Sequence, residues 1–290
     1  MIRLAAKLLL FISILLIFSN ICSYFVLKSP LLIHVLETRK STDWIYSAID
    51  KSKAPVASDV IILGDSVALQ MFKPGNSNFI LSAPATIVGQ YIVLSSILHN
   101  KNNVKKVILV CYPGSLLIKI NNIYSYNHFV KPFYCQENKP LISNSVEADL
   151  KQHRYYYLYN LPISKVLPAF TLIDCSQSNH VVANESYEYG LFIEYMKKII
   201  ELCTRNNVEL KILSPPVSAT HNNLFDFIKL KKVINDNNFN AIFSYYFETL
   251  IVTDDLYFRN DHWHYKEEYK DKMSIEFRDI VKRHINLPDI

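Results

Sequence analysis

A serine, a histidine and an aspartate are the residues of this chain whose settings suggest chemistry. Ser66 ends the run Ile61-Ile62-Leu63-Gly64-Asp65-Ser66, and His264 ends Asp261-His262-Trp263-His264 near the other end of the sequence. A serine hydroxyl is a weak nucleophile until a base takes its proton. An aspartate three residues before a histidine can turn back to accept the Nδ1–H, fixing the tautomer and stabilising the imidazolium. Together these are the parts of acyl transfer through a covalent ester on Ser66, with His264 as base and Asp261 orienting it. That chemistry requires no metal and no organic cofactor.

Other roles compete for the same stretch. His262 and His264 form an H-x-H that with Asp261 could ligate a metal if the backbone is extended; no second ligand cluster accompanies it, and no metal is expected. His262 is the alternative base. Asp254 or Asp255 could replace Asp261 as the orienting carboxylate. Asp65 is expected to hold its turn by accepting backbone hydrogen bonds, and Trp263 to pack rather than line a pocket.

The elements that must bring these residues together are legible as alternating apolar runs and amphipathic stretches. Asp59 to Leu63 is a short β-branched run of the kind buried on both faces of a parallel sheet. Phe79 to Leu81, Val104 to Cys111, Val208 to Leu213 and Ala241 to Ser244 supply four more strands. Helices are expected over Val67 to Phe72, Pro84 to Asn100, Tyr187 to Arg205, 220–235 and Glu267 to His284. The expected fold is a three-layer α/β/α sandwich with a mainly parallel sheet of about five strands, flavodoxin-like in layout. Residues 116–185 break the rhythm and read as an irregular insertion, with Tyr155-Tyr156-Tyr157 and Tyr159 as a half-buried or sugar-stacking cluster. In such sheets, sites form outside the carboxyl ends of strands, where Ser66 lies. Donors at the start of the following helix would favour a developing oxyanion.

The two blocks, and their order, resemble the SGNH (GDSL-type) hydrolase superfamily over roughly residues 58–290. The first block stands here as Ile62-Leu63-Gly64-Asp65-Ser66 and the last as Asp261-His262-Trp263-His264. The resemblance implies Ser66 as nucleophile, His264 as base and Asp261 as its orienter. Two middle blocks depart from the family pattern. Leu81-Ser82-Ala83-Pro84-Ala85 lacks the glycine after the second strand, and Cys111-Tyr112-Pro113-Gly114-Ser115 stands where Gly-x-Asn-Asp is usual. Ser66, Ala83 and Gly114 are the candidate oxyanion or substrate-binding residues, each donor being worth roughly 3 kcal/mol in the transition state. An N-terminal anchor before such a domain is similar to divergent envelope proteins of D-alanylation and polysaccharide O-acetylation. That similarity implies an acyl-ester or glycan substrate and a membrane acyltransferase partner. A non-catalytic binding or assembly protein on the same fold is the alternative.

The anchor is read from the sequence itself. Leu8 to Leu27 contains no charged residue, and as a helix it reaches about 30 Å, the thickness of a bilayer's hydrocarbon core. Its end, Ser23-Tyr24-Phe25-Val26-Leu27, offers no small-x-small cleavage site. Residues 1–28 are therefore expected to be an uncleaved single-pass signal anchor in the cytoplasmic membrane, and 29–57 a connector with some helix. Arg3 and Lys7 favour a cytoplasmic N-terminus and an exported domain, although Lys28, Arg39 and Lys40 lie on the other flank. The 290 residues are 50% apolar and 20% charged, with a net charge of +5, which excludes a disordered tail protein and gives no basic patch for a nucleic-acid partner. Of five cysteines, Cys135 and Cys175 are candidates for a disulfide in an exported domain, and no CxxC occurs. Asn184-Glu185-Ser186 is a glycosylation sequon, meaningful only on a eukaryotic secretory route.

Overall fold

The computed structural model describes residues 2–28, 43–55, 58–72, 79–81, 86–100, 103–117, 120, 129–152 and 189–285. In chain order, the elements used below begin with helices α1 (Ile2–Lys28) and α2 (Asp43–Lys53), strand β1 (Val60–Gly64), helix α3 (Ser66–Met71), strand β2 (Phe79–Leu81), helix α4 (Ile87–His99) and strand β3 (Lys106–Val110). They continue with helices α5 (Asn144–Gln152) and α6 (Tyr189–Arg205), strands β4 (Glu209–Leu213) and β5 (Val217–Ser218), and helices α7 (Ala219–Leu224), α8 (Phe227–Asp236) and α9 (Tyr246–Thr249). Strand β6 (Val252–Thr253) and helix α10 (Lys270–Ile285) complete the series.

The fold is α/β. Four strands form one parallel sheet in the order β2-β1-β3-β4, and β5 and β6 form a separate two-stranded parallel sheet. Side chains of a strand alternate between faces, and the packing follows that parity. Ile61, Leu63, Val107, Leu109 and Ile212 join α2, α4 and α6 in one buried cluster. Ile62, Ile108, Val110 and Leu213 join α3 and α10 in a second. β1 and β3 after Lys106 are apolar without alternation because both of their faces are covered, whereas in β4 Glu209 and Lys211 alternate with buried positions. Each fully buried aliphatic side chain contributes about 1.5–3 kcal/mol relative to exposure. Ile45 and Ala48 of α2 are buried in the first cluster, so part of the 29–57 connector packs as an element of the folded unit.

Among the described residues the sheet has four of the five expected strands. Ala241–Ser244 lies beside β4, where the Ile212 N–H donates to the Ile242 carbonyl at 3.0 Å, but it is a series of turns. Ile242 and Phe243 N–H groups both return to the Phe239 carbonyl and Tyr246 N–H to Phe243. Asn238 at φ 60 starts this local winding, and local bonds consume the donors a ladder would need. The helix expected over 220–235 is two helices, divided where Asp226 caps α8 by accepting the Lys229 N–H at 2.8 Å. Glu267 to Tyr269 is a 3-10 turn preceding α10.

The N-terminal helix stands apart from both clusters. Arg3–Phe25 has a mean hydropathy of 2.3, long and apolar enough to cross a membrane, and its Leu8, Leu9, Phe11, Ile14 and Phe18 are exposed. Within the 116–185 insertion, residues 129–152 pack against the first cluster through Phe129, Phe133, Val146 and Leu150. The tyrosines at 155–157 and 159, the sequon at Asn184, and Ala83 lie outside the described residues. Cys135 is a free thiol, and Cys175, its candidate partner, lies outside the described residues.

Candidate active site

The chain leaves β1 for β2 on one side and then β3 on the other, so the strand order reverses between β1 and β3. Crevices at such reversals are where α/β sheets place ligands. Asp65 occupies this point and ties it together. One carboxylate oxygen accepts the Val67 and Ala68 N–H groups at 3.0 Å each, capping α3. The other accepts the Tyr112 N–H at 2.7 Å and the Ser115 hydroxyl at 2.5 Å. Asp65 N–H also donates to the Val110 carbonyl at 3.3 Å. A single buried side chain thus joins the ends of β1 and β3 to the start of the helix that carries Ser66.

That capping overturns one expectation. The first donors of α3 were expected to face a substrate oxyanion, yet Asp65 has taken two of them. Among the described residues nothing accepts the Ser66 N–H, which leaves it as the donor beside the hydroxyl.

The structure brings Ser66 and His264 together although 198 positions separate them; Ser66 Oγ and His264 Nε2 are 2.8 Å apart. His264 Nδ1 is 2.8 Å from Asp261 Oδ2. A carboxylate only accepts, so Nδ1 carries the ring proton and Nε2 offers its lone pair to the Ser66 hydroxyl. Asp261 Oδ1 meanwhile accepts the Trp263 and His264 N–H groups at 2.9 Å each, closing a turn around the carboxylate. Partial burial pushes the Asp261 pKa up. The His264 ring, through its hydrogen bond and its charge when protonated, and the His264 and Trp263 backbone N–H groups outweigh it, and the net value falls to about 2.

The competing assignments go elsewhere. His262 sits at φ 57, a left-handed turn that breaks the extended H-x-H and sends its ring away from His264. Its Nδ1 is 3.8 Å from Asp255 Oδ1. Asp255 accepts the Thr220 N–H and hydroxyl at 3.0 and 2.5 Å, and Asp254 caps the next turn by accepting the Leu256 N–H. Neither orients His264. Among the described residues no group of three or more His, Cys, Asp or Glu side chains is placed to hold a metal ion.

Gly114 serves packing. A Cβ there would stand 2.9 Å from Trp263 Cη2 and 3.0 Å from Cζ2, so the missing side chain admits the indole. Trp263 also lies against Tyr112, with ring centroids 5.0 Å apart. Two supports escaped sequence reading. Tyr112 donates its hydroxyl to the His262 carbonyl at 3.0 Å. His221 is wholly buried among Tyr112, Phe225 and Trp263 with neither ring nitrogen bonded. Burial, and then His262 nearby, push its pKa down to about 3, so the ring is neutral and acts as an aromatic spacer. His221 sits in no motif, and the block that contains Tyr112 gives no sign of this contact; only a packed structure reveals them.

No protein-family model, curated protein or solved structure matches the chain. Function therefore rests on the geometry.

Proposed function

We propose that this protein is a membrane-anchored, SGNH-like serine esterase or O-acyltransferase, on an α/β/α sandwich reduced to a four-stranded sheet. The observation that carries the reading is the continuous chain Ser66 Oγ–His264 Nε2 and His264 Nδ1–Asp261 Oδ2, each link 2.8 Å. A nucleophile bonded to a base, itself held by a carboxylate, is what activation of a serine demands.

The steps follow from those contacts. Ser66 Oγ attacks the acyl carbonyl carbon while its proton passes to His264 Nε2. Asp261 stabilises the imidazolium, and the Ser66 N–H faces the oxyanion. Collapse of the tetrahedral intermediate expels the alcohol, which takes the proton from His264 and leaves an acyl ester on Ser66. Water or a sugar hydroxyl then gives its proton to His264 and attacks the acyl carbon. The second intermediate collapses with Ser66 Oγ as leaving group, which takes that proton back from His264 and restores the free serine. A cell-envelope glycan is the acceptor that suits an anchored, exported domain, with a membrane acyltransferase as donor partner.

One observation favours the second reading, a non-catalytic ester- or glycan-binding protein. Asp65 removes two helix donors, and Gly114 is covered by Trp263, so the described site has a single oxyanion donor. Turnover of p-nitrophenyl acetate by the full chain in detergent separates the two. The acyl-transfer reading expects hydrolysis that disappears in Ser66→Ala and is diverted to sugar ester when a glycan is added. Equal rates for parent and Ser66→Ala, or no turnover by either, would favour the binding protein.

A further inference from the structure

We infer that Gln70 is a positioning residue that holds the His264 backbone at a fixed reach from Ser66, an inference that rests on the acyl-transfer reading. Gln70 follows Ser66 by one turn on α3, so both side chains leave the same face of that helix. Its carboxamide pairs with a peptide group on the far side of the site. The Tyr265 N–H donates to Gln70 Oε1 at 2.8 Å, and Gln70 Nε2 donates to the Tyr265 carbonyl at 3.4 Å. Two bonds to one residue fix position and orientation together, as a rung of a β-ladder does. Tyr265 is the residue immediately after His264.

The base loop is internally braced. The Arg259 N–H donates to the His264 carbonyl at 2.7 Å, the Lys266 N–H to Tyr257 at 2.9 Å, and the His262 N–H to Arg259 at 2.9 Å. It is also tied to the rest of the fold by the Tyr112 hydroxyl, which donates to the His262 carbonyl at 3.0 Å, and by the Tyr265 hydroxyl, which donates to the Pro216 carbonyl at 2.9 Å. What matters for proton transfer is how it is fastened to the helix bearing the nucleophile. Besides the Ser66–His264 contact itself, Gln70 is the polar link from that helix to the loop among the described residues. Misplacement of a reacting pair by about 1 Å can cost about 100-fold in rate.

The test uses the full chain in detergent and two readouts. The first is the rate of labelling by a fluorophosphonate probe. Gln70→Leu removes both bonds and should slow labelling by about 10- to 100-fold. Gln70→Glu keeps the acceptor but sets a carboxylate oxygen against the Tyr265 carbonyl. Protonation restores a donor in that place, so the ratio of Gln70→Glu to parent rates should rise as pH falls from about 8 towards about 5, near a carboxyl's ordinary range. His264 and Asp261, beside this backbone, the Tyr265 hydroxyl, and Glu276, whose charge acts on that hydroxyl, are present in both proteins, and Gln70→Leu should give a flat ratio.

The second readout, amide hydrogen exchange at Tyr265, needs no activity. It should be slow in the parent and fast in Gln70→Leu. Faster exchange with slowed, pH-rescued labelling supports the inference. Parent-like labelling by Gln70→Leu, or a flat Gln70→Glu ratio, overturns it. Failure of the parent itself to label overturns the acyl-transfer reading and the positioning role with it, and the exchange rates then report only whether the clamp exists. A Gln70→Leu chain that does not fold leaves the decision to Gln70→Glu, whose side chain has nearly the same shape.

Discussion

Asp261 does two jobs with two oxygens. One holds the His264 ring, and the other gathers the backbone N–H groups that shape the turn. Asp261→Asn keeps the size but offers an amide to a ring nitrogen that needs an acceptor, and the opposite tautomer turns a proton towards Ser66. Labelling of Ser66 by a fluorophosphonate should fall about a thousandfold or more; a fall of less than tenfold would remove Asp261 from the proton path. The same carboxylate has a pH signature. Its pKa is depressed from the ordinary carboxyl value to about 2. Its contribution to stability is therefore fully present above about pH 4 and is lost as pH falls towards about 2. Acid unfolding of Asp261→Asn, followed by circular dichroism, should be flatter than the parent's across that interval. Identical curves would mean that the carboxylate is not held as described.

The Ser66, Asp261 and His264 positions were readable because each is defined locally. A serine at the end of a buried strand and an aspartate three residues before a histidine need no distant information to be recognised. Gln70 and Tyr112 were not readable, because their partners Tyr265 and His262 lie 195 and 150 positions away. His262 misled for a backbone reason: the H-x-H pattern assumes extended chain, and φ 57 is not extended.

Elements set the site through Asp65. Four donors converge on its carboxylate, two from the first turn of α3 and two from the segment after β3. Asp65→Ala leaves all four without that acceptor in a buried place, and loss of a helix cap alone costs about 1 kcal/mol. With orphaned buried donors added, destabilisation of about 2–4 kcal/mol is expected from urea unfolding. A change below about 0.5 kcal/mol, the range of an ordinary surface substitution, would contradict the tie between the strands. The last helix contributes as well. Ser274 on α10 donates to the Met71 carbonyl at 2.7 Å, fastening the end of α3. The strands were legible wherever an apolar run was buried on both faces, as in Val60–Gly64 and Lys106–Val110. Ala241–Ser244 has a similar composition, but Asn237, Asn238 and Asn240 before it favour turns. An edge segment can satisfy its backbone locally, and this one does.

At the scale of the molecule, a helix whose large apolar side chains face outward precedes a unit whose own cores are closed. Water is a poor solvent for that helix, and a bilayer would cover it. The full chain should stay with the membrane fraction after alkaline extraction. Ile12→Arg with Leu15→Arg places two charges mid-span, each opposed by about 2.5–3.5 kcal/mol on insertion scales, and should release the protein. Membrane retention of the doubly charged variant would mean that another part of the chain makes the attachment. The net charge of +5 is too small to hold the protein to lipid headgroups by itself once salt is raised.

The central claim is that the Ser66 hydroxyl is activated by the imidazole beside it. Mass spectrometry of the full chain after fluorophosphonate treatment reads this at the residue. One adduct is expected, on the peptide containing Ser66, absent from Ser66→Ala and nearly absent from His264→Ala. An unmodified parent, or an adduct that persists unchanged in either variant, would contradict it.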